Sequence, residues 1–253
     1  MSDGLQAREL TVRYGGLVAN SAVSVDMRPG EIVGLIGPNG AGKTTFVDAL
    51  TGFTAMTGEI ELDGMRIDGL PPHERRAAGL SRTWQSGELF GNLSTTENLL
   101  VAARSAGWAP LVRDVFGRRR RGGREVVDAA LEMVGLTDVA DTLARDLSLG
   151  QQKLVGVARA AAGGCTVLLL DEPAAGLDSM ESRALAQRLR AIADAGPGIL
   201  LIDHDMSLVL NVCDTVTVLE FGQQIFTGDP ARARTDPRVV AAYLGTPTEV
   251  GHV

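Results

Sequence analysis

The sequence has little cysteine, no long apolar run and no excess of positive charge. Its two cysteines, Cys165 and Cys213, have no partner at metal-ligand spacing, so we expect buried, unreactive thiols. The longest apolar stretches, such as 167–170 and 199–202, are far shorter than the roughly 18 apolar residues of a membrane-spanning helix. The first residues, Met1–Gly4, do not resemble a secretory signal. A net charge of −7 and a pI of about 5.0 argue against a general nucleic-acid-binding surface, and we expect a cytosolic protein that binds no nucleic acid.

The length of 253 residues suffices for one large α/β domain, or for one domain with a small added lobe, and no internal repeat is visible. Short alternating patterns predict strands of an antiparallel lobe, with a turn at Gly15 and Gly16. These strands cover 5–12, 23–27 and 58–62.

In the rest of the chain, buried strands alternate with helices. This alternation predicts a mainly parallel sheet covered by helices on both faces. The middle third has two helical periods separated by a segment rich in Gly, Trp, Pro and Arg (107–123), which predicts a helical subdomain. The predicted strands are 31–36, 166–171 and 198–203, and the predicted helices are 43–50, 95–104, 124–134, 151–161 and 181–195.

A highly specific motif connects the first buried strand to its helix. Residues 37–44 match G-x-x-x-x-G-K-[ST] in full, in the strand-loop-helix context that this pattern requires. The glycines let backbone N–H groups close around phosphates, Lys43 adds a point charge for the β and γ groups, and Thr44 offers a hydroxyl to Mg²⁺. The predicted ATP-binding residues of this segment are Gly37, Pro38, Asn39, Gly40, Ala41, Gly42, Lys43, Thr44 and Thr45.

Two carboxylates, Asp171 and Glu172, end the apolar strand that begins at Val167, which is a Walker B arrangement. We expect Asp171 to hold the metal shell and Glu172 to lie beside the attacking water. A glutamate with an ordinary pKa of about 4.3 is a weak base at neutral pH. Orienting water is enough, because phosphoryl transfer gains most from positioning and charge neutralisation.

The hexapeptide Leu-Ser-Leu-Gly-Gln-Gln (147–152) lies between these two motifs. Ser148 and Gln151 have the spacing of a capping box, which predicts that the next helix begins here. A serine hydroxyl can accept from a helix N–H and still donate to a phosphate oxygen, so capping and anion binding are compatible. Leu149 then falls in the first helical turn, where leucine is favoured over glycine by roughly 1 kcal/mol. A requirement for positive φ would instead cost leucine about 1–2 kcal/mol.

This order of motifs resembles the ATP-binding cassette (ABC) ATPases, whose signature is Leu-Ser-Gly-Gly-Gln, with Leu149 in place of a glycine. The resemblance implies an α/β fold of the P-loop NTPase class, with a RecA-like core, an antiparallel β subdomain and a helical subdomain. By residue type alone, Tyr14, Gln85 and His204 are an ordinary turn tyrosine, a polar loop residue and a structural histidine. The resemblance instead implies that Tyr14 stacks on adenine, that Gln85 joins the metal to the helical subdomain, and that His204 contacts the γ-phosphate. The implied catalytic residues are Glu172 and His204; the further nucleotide-binding residues are Tyr14, Gln85, Ser148, Gly150, Gln151 and Asp178 of the D-loop; and the metal ligands are Thr44, Gln85 and Asp171.

A finer resemblance is to the ATP-binding subunits of branched-chain amino acid importers. Asp203 departs from the glutamate that is common before the switch histidine of these subunits. The lipopolysaccharide-export ATPase is similar at the same end of the chain, and amide or urea importers remain open as alternatives. The finer resemblance rests on the long segment from Gln85 to the signature and on Tyr14–Leu17, Leu89–Phe90, Glu97–Leu100, Pro173–Leu177, His204–Met206 and Ala242–Gly245.

The resemblance also implies partners. Two such subunits, either identical or one paired with a sister ATPase, are expected to enclose two Mg-ATP molecules. Each nucleotide is expected to lie between the phosphate loop of one subunit and the signature of the other. Transmembrane permease subunits are expected to dock near 85–90, with a solute-binding protein as an indirect partner. The implied location is peripheral, on the cytoplasmic face of the inner (plasma) membrane. ABC proteins of DNA repair or translation carry two cassettes or long coiled-coil insertions, which are not visible here, and a soluble P-loop kinase leaves the signature unexplained.

We predict one ABC ATPase domain over 1–253. Its β lobe and core are expected in 1–84 and 161–230, and the helical subdomain with the signature in 86–160; a C-terminal helix and tail are expected in 231–253. The run Arg118–Arg121 is tempting as a nucleic-acid or lipid-headgroup patch. We favour a solvated loop tip, since a single run of like charge without interleaved aromatics is usually solvated.

Overall fold

A computed structural model describes residues 3–83, 89–105, 123–162, 164–203 and 206–244 of the chain. Within these ranges, ten strands form two sheets, and helices pack against both. The run Arg118–Arg121 lies outside the described residues. None of the described helices is long and apolar enough to cross a membrane.

The smaller sheet is antiparallel and alternates between buried and solvent-facing positions. Its first two strands form a hairpin whose turn contains Gly15 at a φ of 59°, as the sequence predicted. Its strands are β1 (Leu5–Tyr14), β2 (Leu17–Met27), β4 (Thr57–Leu62) and β5 (Met65–Arg66), in the order β2-β1-β4-β5.

The larger sheet contains β3 (Ile32–Ile36), β6 (Leu80–Arg82), β7 (Val167–Asp171), β8 (Gly198–Ile202), β9 (Thr215–Glu220) and β10 (Gln223–Gly228). The strand order is β10-β9-β3-β8-β7-β6, and every neighbouring pair is parallel except the edge pair of β9 and β10. Strands β3, β7 and β8 are buried at every position, as their unbroken apolar runs predict for parallel strands covered on both faces.

The helices of the described chain are α1 (Lys43–Thr51), α2 (Pro72–Ala77), α3 (Thr95–Ser105), α4 (Gly123–Val134), α5 (Leu149–Ala161), α6 (Ser179–Asp194), α7 (Met206–Val212), α8 (Pro230–Ala233) and α9 (Pro237–Leu244). Helices α3, α4 and α5 pack on one another and form a helical layer. The predicted helices occur with bounds shifted by a few residues.

Alternate side chains of the large sheet enter two separate cores. On one face, Leu168 and Ile199 pack in a cluster with side chains of α5 and α6. On the other face, Leu169 and Leu200 join a cluster that contains Phe46 of α1 and residues of the small sheet. Because side chains alternate along a strand, each central strand supplies both cores.

Two features differ from the expected elements. The hairpin of β9 and β10 completes the large sheet, although our element prediction ended at 203 and did not include it. The expected C-terminal helix is two short helices, α8 and α9. Asp236 precedes Pro237 between them, and the residue before a proline is disfavoured in helical geometry.

The two cysteines are free, as expected from the sequence. Burial raises the pKa of Cys165 to about 12, and it has the same effect on the pKa of Cys213, also to about 12. Both are therefore protonated, poorly nucleophilic thiols at neutral pH.

Candidate functional site

The phosphate loop connects β3 to α1 and depends on two glycines that no other residue could replace. At Gly37, with a φ of 150°, an added Cβ would lie 2.2 Å from the Leu219 carbonyl oxygen. At Gly42, with a φ of 96°, it would lie 2.6 Å from the Ala19 carbonyl oxygen. The loop backbone is thus packed directly against neighbouring strands, and α1 begins immediately after it at Lys43.

Lys43 is folded back over this loop. Its Nζ donates to the carbonyl oxygens of Gly37, at 2.7 Å, and Pro38, at 3.0 Å. Burial lowers the pKa of Lys43 below its ordinary value, while the charges of Glu172 and Asp171 act in the opposite direction. The ammonium group therefore lies over the loop, within the electrostatic influence of both Walker B carboxylates, at the position that the motif predicts for a phosphate contact.

Strand β2 and the turn between β9 and β10 each donate a hydrogen bond to a backbone carbonyl oxygen of the phosphate loop. Asn20 of β2 is fully buried and its Nδ2 donates to the Gly42 carbonyl oxygen at 3.2 Å. The Gly222 N–H, in the turn between β9 and β10, donates to the Ala41 carbonyl oxygen at 3.0 Å. Along the loop, Asn39, Gly40 and Thr44 are exposed, and Pro38 and Thr45 are half-buried. The loop therefore presents its tip and the Thr44 side chain to solvent.

Asp171 ends β7 and is held through both its backbone and its side chain. Its N–H donates to Thr83 Oγ1 at 3.3 Å, and its Oδ2 accepts from Arg82 Nη2 at 3.1 Å. Burial raises the pKa of Asp171, and the hydrogen bond and charge of Arg82 oppose that shift. The other oxygen, Oδ1, is buried and has no hydrogen-bond partner among the described residues.

Glu172 adopts a left-handed backbone conformation with a φ of 48°. Its N–H donates to the Ile202 carbonyl oxygen at 2.7 Å, at the end of the neighbouring strand β8. Residues other than glycine, asparagine and aspartate rarely adopt this backbone conformation, and strained residues of this kind cluster at functional sites. The strain is consistent with the catalytic role predicted for this glutamate.

The capping box predicted at the signature is present. Ser148 Oγ accepts from the Gln151 N–H at 3.2 Å, and Gln151 Oε1 accepts from the Ser148 N–H at 2.9 Å. Leu149 is the first residue of α5 and is not among the described residues with positive φ, which confirms the helical interpretation. Ser148 is exposed, so the N-terminus of this helix faces solvent.

The D-loop lies beside the signature. Asp178 caps α6: its Oδ1 accepts from the N–H groups of Met180, at 2.7 Å, and Glu181, at 2.8 Å. Leu149 reaches to 3.1 Å from the position that a Cβ on Gly176 would occupy. The signature and D-loop therefore form one continuous surface.

Tyr14 ends β1 and is 51% exposed, and its hydroxyl is 3.0 Å from Thr54 Oγ1. This leaves a ring face available for stacking. The two other residues assigned by resemblance, Gln85 and His204, lie outside the described residues. Their chain neighbours are described: Thr83 contacts Asp171, and Asp203 Oδ2 accepts from the Ala174 N–H at 3.2 Å.

Two residues of the site, Arg82 and Asn20, belong to none of the predicted binding or catalytic residues. Arg82 lies three residues before Gln85, so its position in that motif was an available signal. Asn20 lies in a strand without any motif, and only its burial against Gly42 marks it.

Comparisons with known proteins agree with this geometry. A family model described as "ABC transporter" matches residues 21–175, and one described as "Branched-chain amino acid ATP-binding cassette transporter" matches 223–249. The chain is 40% identical over 250 residues to the high-affinity branched-chain amino acid transport ATP-binding protein BraF of Pseudomonas aeruginosa, covering 95% of this chain and 97% of that protein.

Two further relatives bear on the alternatives. The chain is 38% identical over 248 residues to LivG of Escherichia coli K12, a protein with the same description as BraF. It is 33% identical over 242 residues to the lipopolysaccharide export system ATP-binding protein LptB of Haemophilus influenzae. Each match covers 95% of this chain and 97% of the relative. Among solved structures, an ATP-binding cassette of an ABC transporter in its ADP conformation matches with a TM-score of 0.85 and 29% identity, over 97% of this chain and all of that one (100%).

Proposed function

Because this chain belongs to the ABC transporter family, and is therefore a nucleotide-binding ATPase subunit of a membrane transporter, we propose that it powers an importer of branched-chain or other apolar amino acids. The observation that carries the enzymatic part is the phosphate loop with Lys43 folded over it, together with the buried Asp171, whose Oδ1 has no hydrogen-bond partner in the described chain. The amino acid class is supported by the family model over 223–249 and by the transport function that the names of BraF and LivG state.

ATP binding is proposed to use the loop 37–45 and the stacking face of Tyr14. Lys43 Nζ already lies in the loop, where it donates to neutral carbonyl oxygens. A phosphate oxygen is a stronger acceptor because a charge-assisted hydrogen bond is about twice as strong as a neutral one. We therefore propose that Lys43 exchanges its loop contacts for the β and γ phosphates.

The residues present fit a Mg²⁺ ion bound with the nucleotide. Thr44 presents an exposed hydroxyl, and Asp171 Oδ1 is a buried acceptor with no partner in the described chain. The described residues contain no group of three His, Cys, Asp or Glu that could hold a metal. Few protein ligands suit Mg²⁺, which usually keeps waters and binds one or two carboxylates together with substrate phosphates. When bound, the ion would neutralise charge on the phosphates, with Gln85 as the third predicted ligand.

For hydrolysis, we propose that Glu172 orients the attacking water and that His204 contacts the γ-phosphate. Ser148, Gly150, Gln151 and Asp178 are proposed to act on the ATP of a second subunit, identical or sister. Ser148 supports this proposal, because it caps the exposed end of a helix and so directs free N–H groups and a positive dipole end toward solvent.

Docking to the permease is proposed at the surface that begins with Leu89 and Phe90. Leu89 packs on the helical core, whereas Phe90 is 52% exposed and its N–H donates to Asn98 Oδ1 at 2.8 Å. Aromatic side chains are enriched at protein–protein interfaces, which supports a docking role for Phe90. With this docking, the proposed location of the subunit is peripheral, on the cytoplasmic face of the inner membrane, and a solute-binding protein is proposed as an indirect partner. The domain division at 1–84, 86–160, 161–230 and 231–253 remains part of this proposal.

Lipopolysaccharide export is the second candidate, supported by the similarity to LptB. Copurification discriminates the two: a permease whose complex takes up labelled leucine, isoleucine or valine supports import. Purification with a lipopolysaccharide-binding permease would replace the amino acid proposal while leaving the ATPase role in place. Uptake of only an amide or urea would support the remaining alternative.

Glu172→Gln tests the catalytic assignment. It removes the carboxylate but preserves shape, so we expect fluorescent ATP-analogue affinity close to that of the unmodified protein and an ATPase rate near zero. Glu132→Gln, an exposed change on α4, is the matched control and should hydrolyse ATP normally. A Glu172→Gln subunit that hydrolyses ATP at nearly the unmodified rate would remove Glu172 from the mechanism.

A further inference from the structure

Arg82, the last residue of β6, connects two acidic side chains on different elements. Its side chain is only 8% exposed. Its Nη1 donates to Asp48 Oδ1 at 2.5 Å, and its Nη2 donates to Asp171 Oδ2 at 3.1 Å. The guanidinium group therefore lies between α1, which continues from the phosphate loop, and the end of β7.

The contact to Asp171 distinguishes its two carboxylate oxygens. Oδ2 accepts from Arg82, whereas Oδ1 is buried without a partner in the described ranges. A planar guanidinium fixes the orientation of the carboxylate that it binds. The backbone of Asp171 is held as well, through its N–H to Thr83 Oγ1 at 3.3 Å. The end of β6 therefore restrains both the backbone of Asp171 and the oxygen that faces Arg82.

Other buried and bridging arginines show what is particular to Arg82. Arg75 is also buried, but its side chain donates to the backbone carbonyl oxygens of Asp68, Ala49, Leu50 and Leu70, which is the pattern of a structural brace. Arg190 bridges two carboxylates, those of Asp194 at 3.0 Å and Asp214 at 2.8 Å, but at the start of β3 rather than beside the phosphate loop. Arg82 combines deep burial with a bridge that ends on a predicted metal ligand.

We propose that Arg82 is a positioning residue for the metal of the nucleotide site: anchored by Asp48, it holds Asp171 so that Oδ1 faces the Mg²⁺ shell. This proposal rests on the proposed function, because it assumes a bound Mg-nucleotide. The bridge also joins the helix behind the phosphate loop to the Walker B strand, so that nucleotide and metal ligands keep a fixed separation. Partners that orient metal ligands in this way typically change metal affinity by about 10- to 100-fold when they are removed.

The test measures Mg²⁺ dependence of binding, separately from hydrolysis. The purified full-length chain is titrated with a fluorescent ATP analogue, first in EDTA and then over a range of Mg²⁺ concentrations. Arg82→Met is expected to leave metal-free affinity within about twofold of the unmodified protein and to raise the Mg²⁺ concentration at half-maximal enhancement by about tenfold or more. Arg82→Lys should restore part of this loss, because an ammonium group keeps the charge but cannot span both carboxylates.

Two further variants complete the design. Asp48→Asn weakens the anchor without touching Asp171, so it should shift the Mg²⁺ requirement in the same direction by a smaller factor. Arg190→Met removes a comparable two-carboxylate bridge far from the site; it should lower the melting temperature without changing Mg²⁺ dependence. A purely structural role for Arg82 would make Arg82→Met behave like Arg190→Met.

The outcomes separate the two levels of the proposal. An unmodified protein that fails to bind the ATP analogue would overturn the proposed function itself. An unmodified protein with normal Mg²⁺ enhancement, together with an unchanged enhancement in folded Arg82→Met, would overturn only the role of Arg82. If Arg82→Met does not fold, Arg82→Lys and Asp48→Asn decide, and unshifted Mg²⁺ dependence in both overturns it.

Discussion

Replacing Leu149 by glycine restores the family's signature at one position, and it separates the folding role of that residue from its role in hydrolysis. Leu149 begins α5 directly after the Ser148 cap, without a positive φ. The glycine of the family is therefore not needed here for backbone conformation. We expect Leu149→Gly to change stability more than hydrolysis.

The magnitude follows from two contributions. Glycine is worse than leucine in a helix by up to about 1 kcal/mol. The Leu149 side chain is 43% exposed, and full burial of a leucine is worth about 1.5–3 kcal/mol, so the partial burial beside Gly176 contributes roughly 1 kcal/mol. The sum is about 2 kcal/mol, which lowers the melting temperature of a chain of this size by about 4–8 °C.

The assay compares thermal melting and ATPase rate for Leu149→Gly and Leu149→Ala. Alanine removes most of the side-chain contact but keeps helix propensity, so it should lose about half of the stability that glycine loses. Both variants should hydrolyse ATP within about twofold of the unmodified rate, since neither loses an anion-binding donor. A strong rise in ATPase rate with glycine would refute this reasoning. The present signature would then be degenerate, and pairing with a more active sister subunit would follow.

Asn20→Asp places a negative charge against the Gly42 carbonyl oxygen at the phosphate loop, so its affinity for the ATP analogue should fall by about tenfold or more. Asn20→Ala is the uncharged control. Equal affinities of the two variants would contradict this electrostatic prediction. Asp171→Asn tests the effect of burying the Asp171 carboxylate. Burial raises the pKa of Asp171 in the folded chain, so its contribution to the free energy of unfolding is present at acid pH and is lost as the pH rises from the ordinary aspartate range through the raised value. The amide also removes the ionic partner of the buried Arg82, so at neutral pH it should lower the melting temperature although it relieves this desolvation. Mg²⁺-dependent turnover should be lost, and near-normal turnover would contradict the metal-ligand assignment.

The fold could be predicted where a local pattern is long or unbroken. The apolar run ending in Asp171 is a central strand, and the Ser148 capping box marks where α5 begins. The hairpin of β9 and β10 was missed. Its turn contains Phe221 at a φ of 46° followed by Gly222, and a bulky residue at positive φ is not a recognised turn signal. The turn also contacts distant segments: the Gly222 N–H donates to the Ala41 carbonyl oxygen at 3.0 Å, and an added Cβ at Gly222 would lie 2.4 Å from the Ala19 carbonyl oxygen.

The site residues, too, could be predicted only where they belong to a contiguous motif. Residues within contiguous motifs, such as Lys43 and Asp171, were identified because the spacing itself carries the chemistry. Arg82 was not, since its partners Asp48 and Asp171 are 34 and 89 residues away in the sequence. A buried ion pair between separate elements leaves no periodic signal, so only the folded arrangement reveals it.

The strained backbone of Glu172 is hydrogen-bonded to the strand that leads to His204. A left-handed conformation costs a non-glycine residue about 1–2 kcal/mol and persists only where the surroundings impose it. Those surroundings are the end of β8: the Ile202 carbonyl oxygen accepts from the Glu172 N–H, and Asp203 accepts from the Ala174 N–H. Asp203 is 1% exposed, so its carboxylate acts as an internal acceptor for the turn after Walker B. His204 follows directly in the sequence, so under the proposed contact of His204 with the γ-phosphate, a shift of the end of β8 would reach Glu172 through its bond to Ile202 and the next turn through the bond of Asp203 to Ala174.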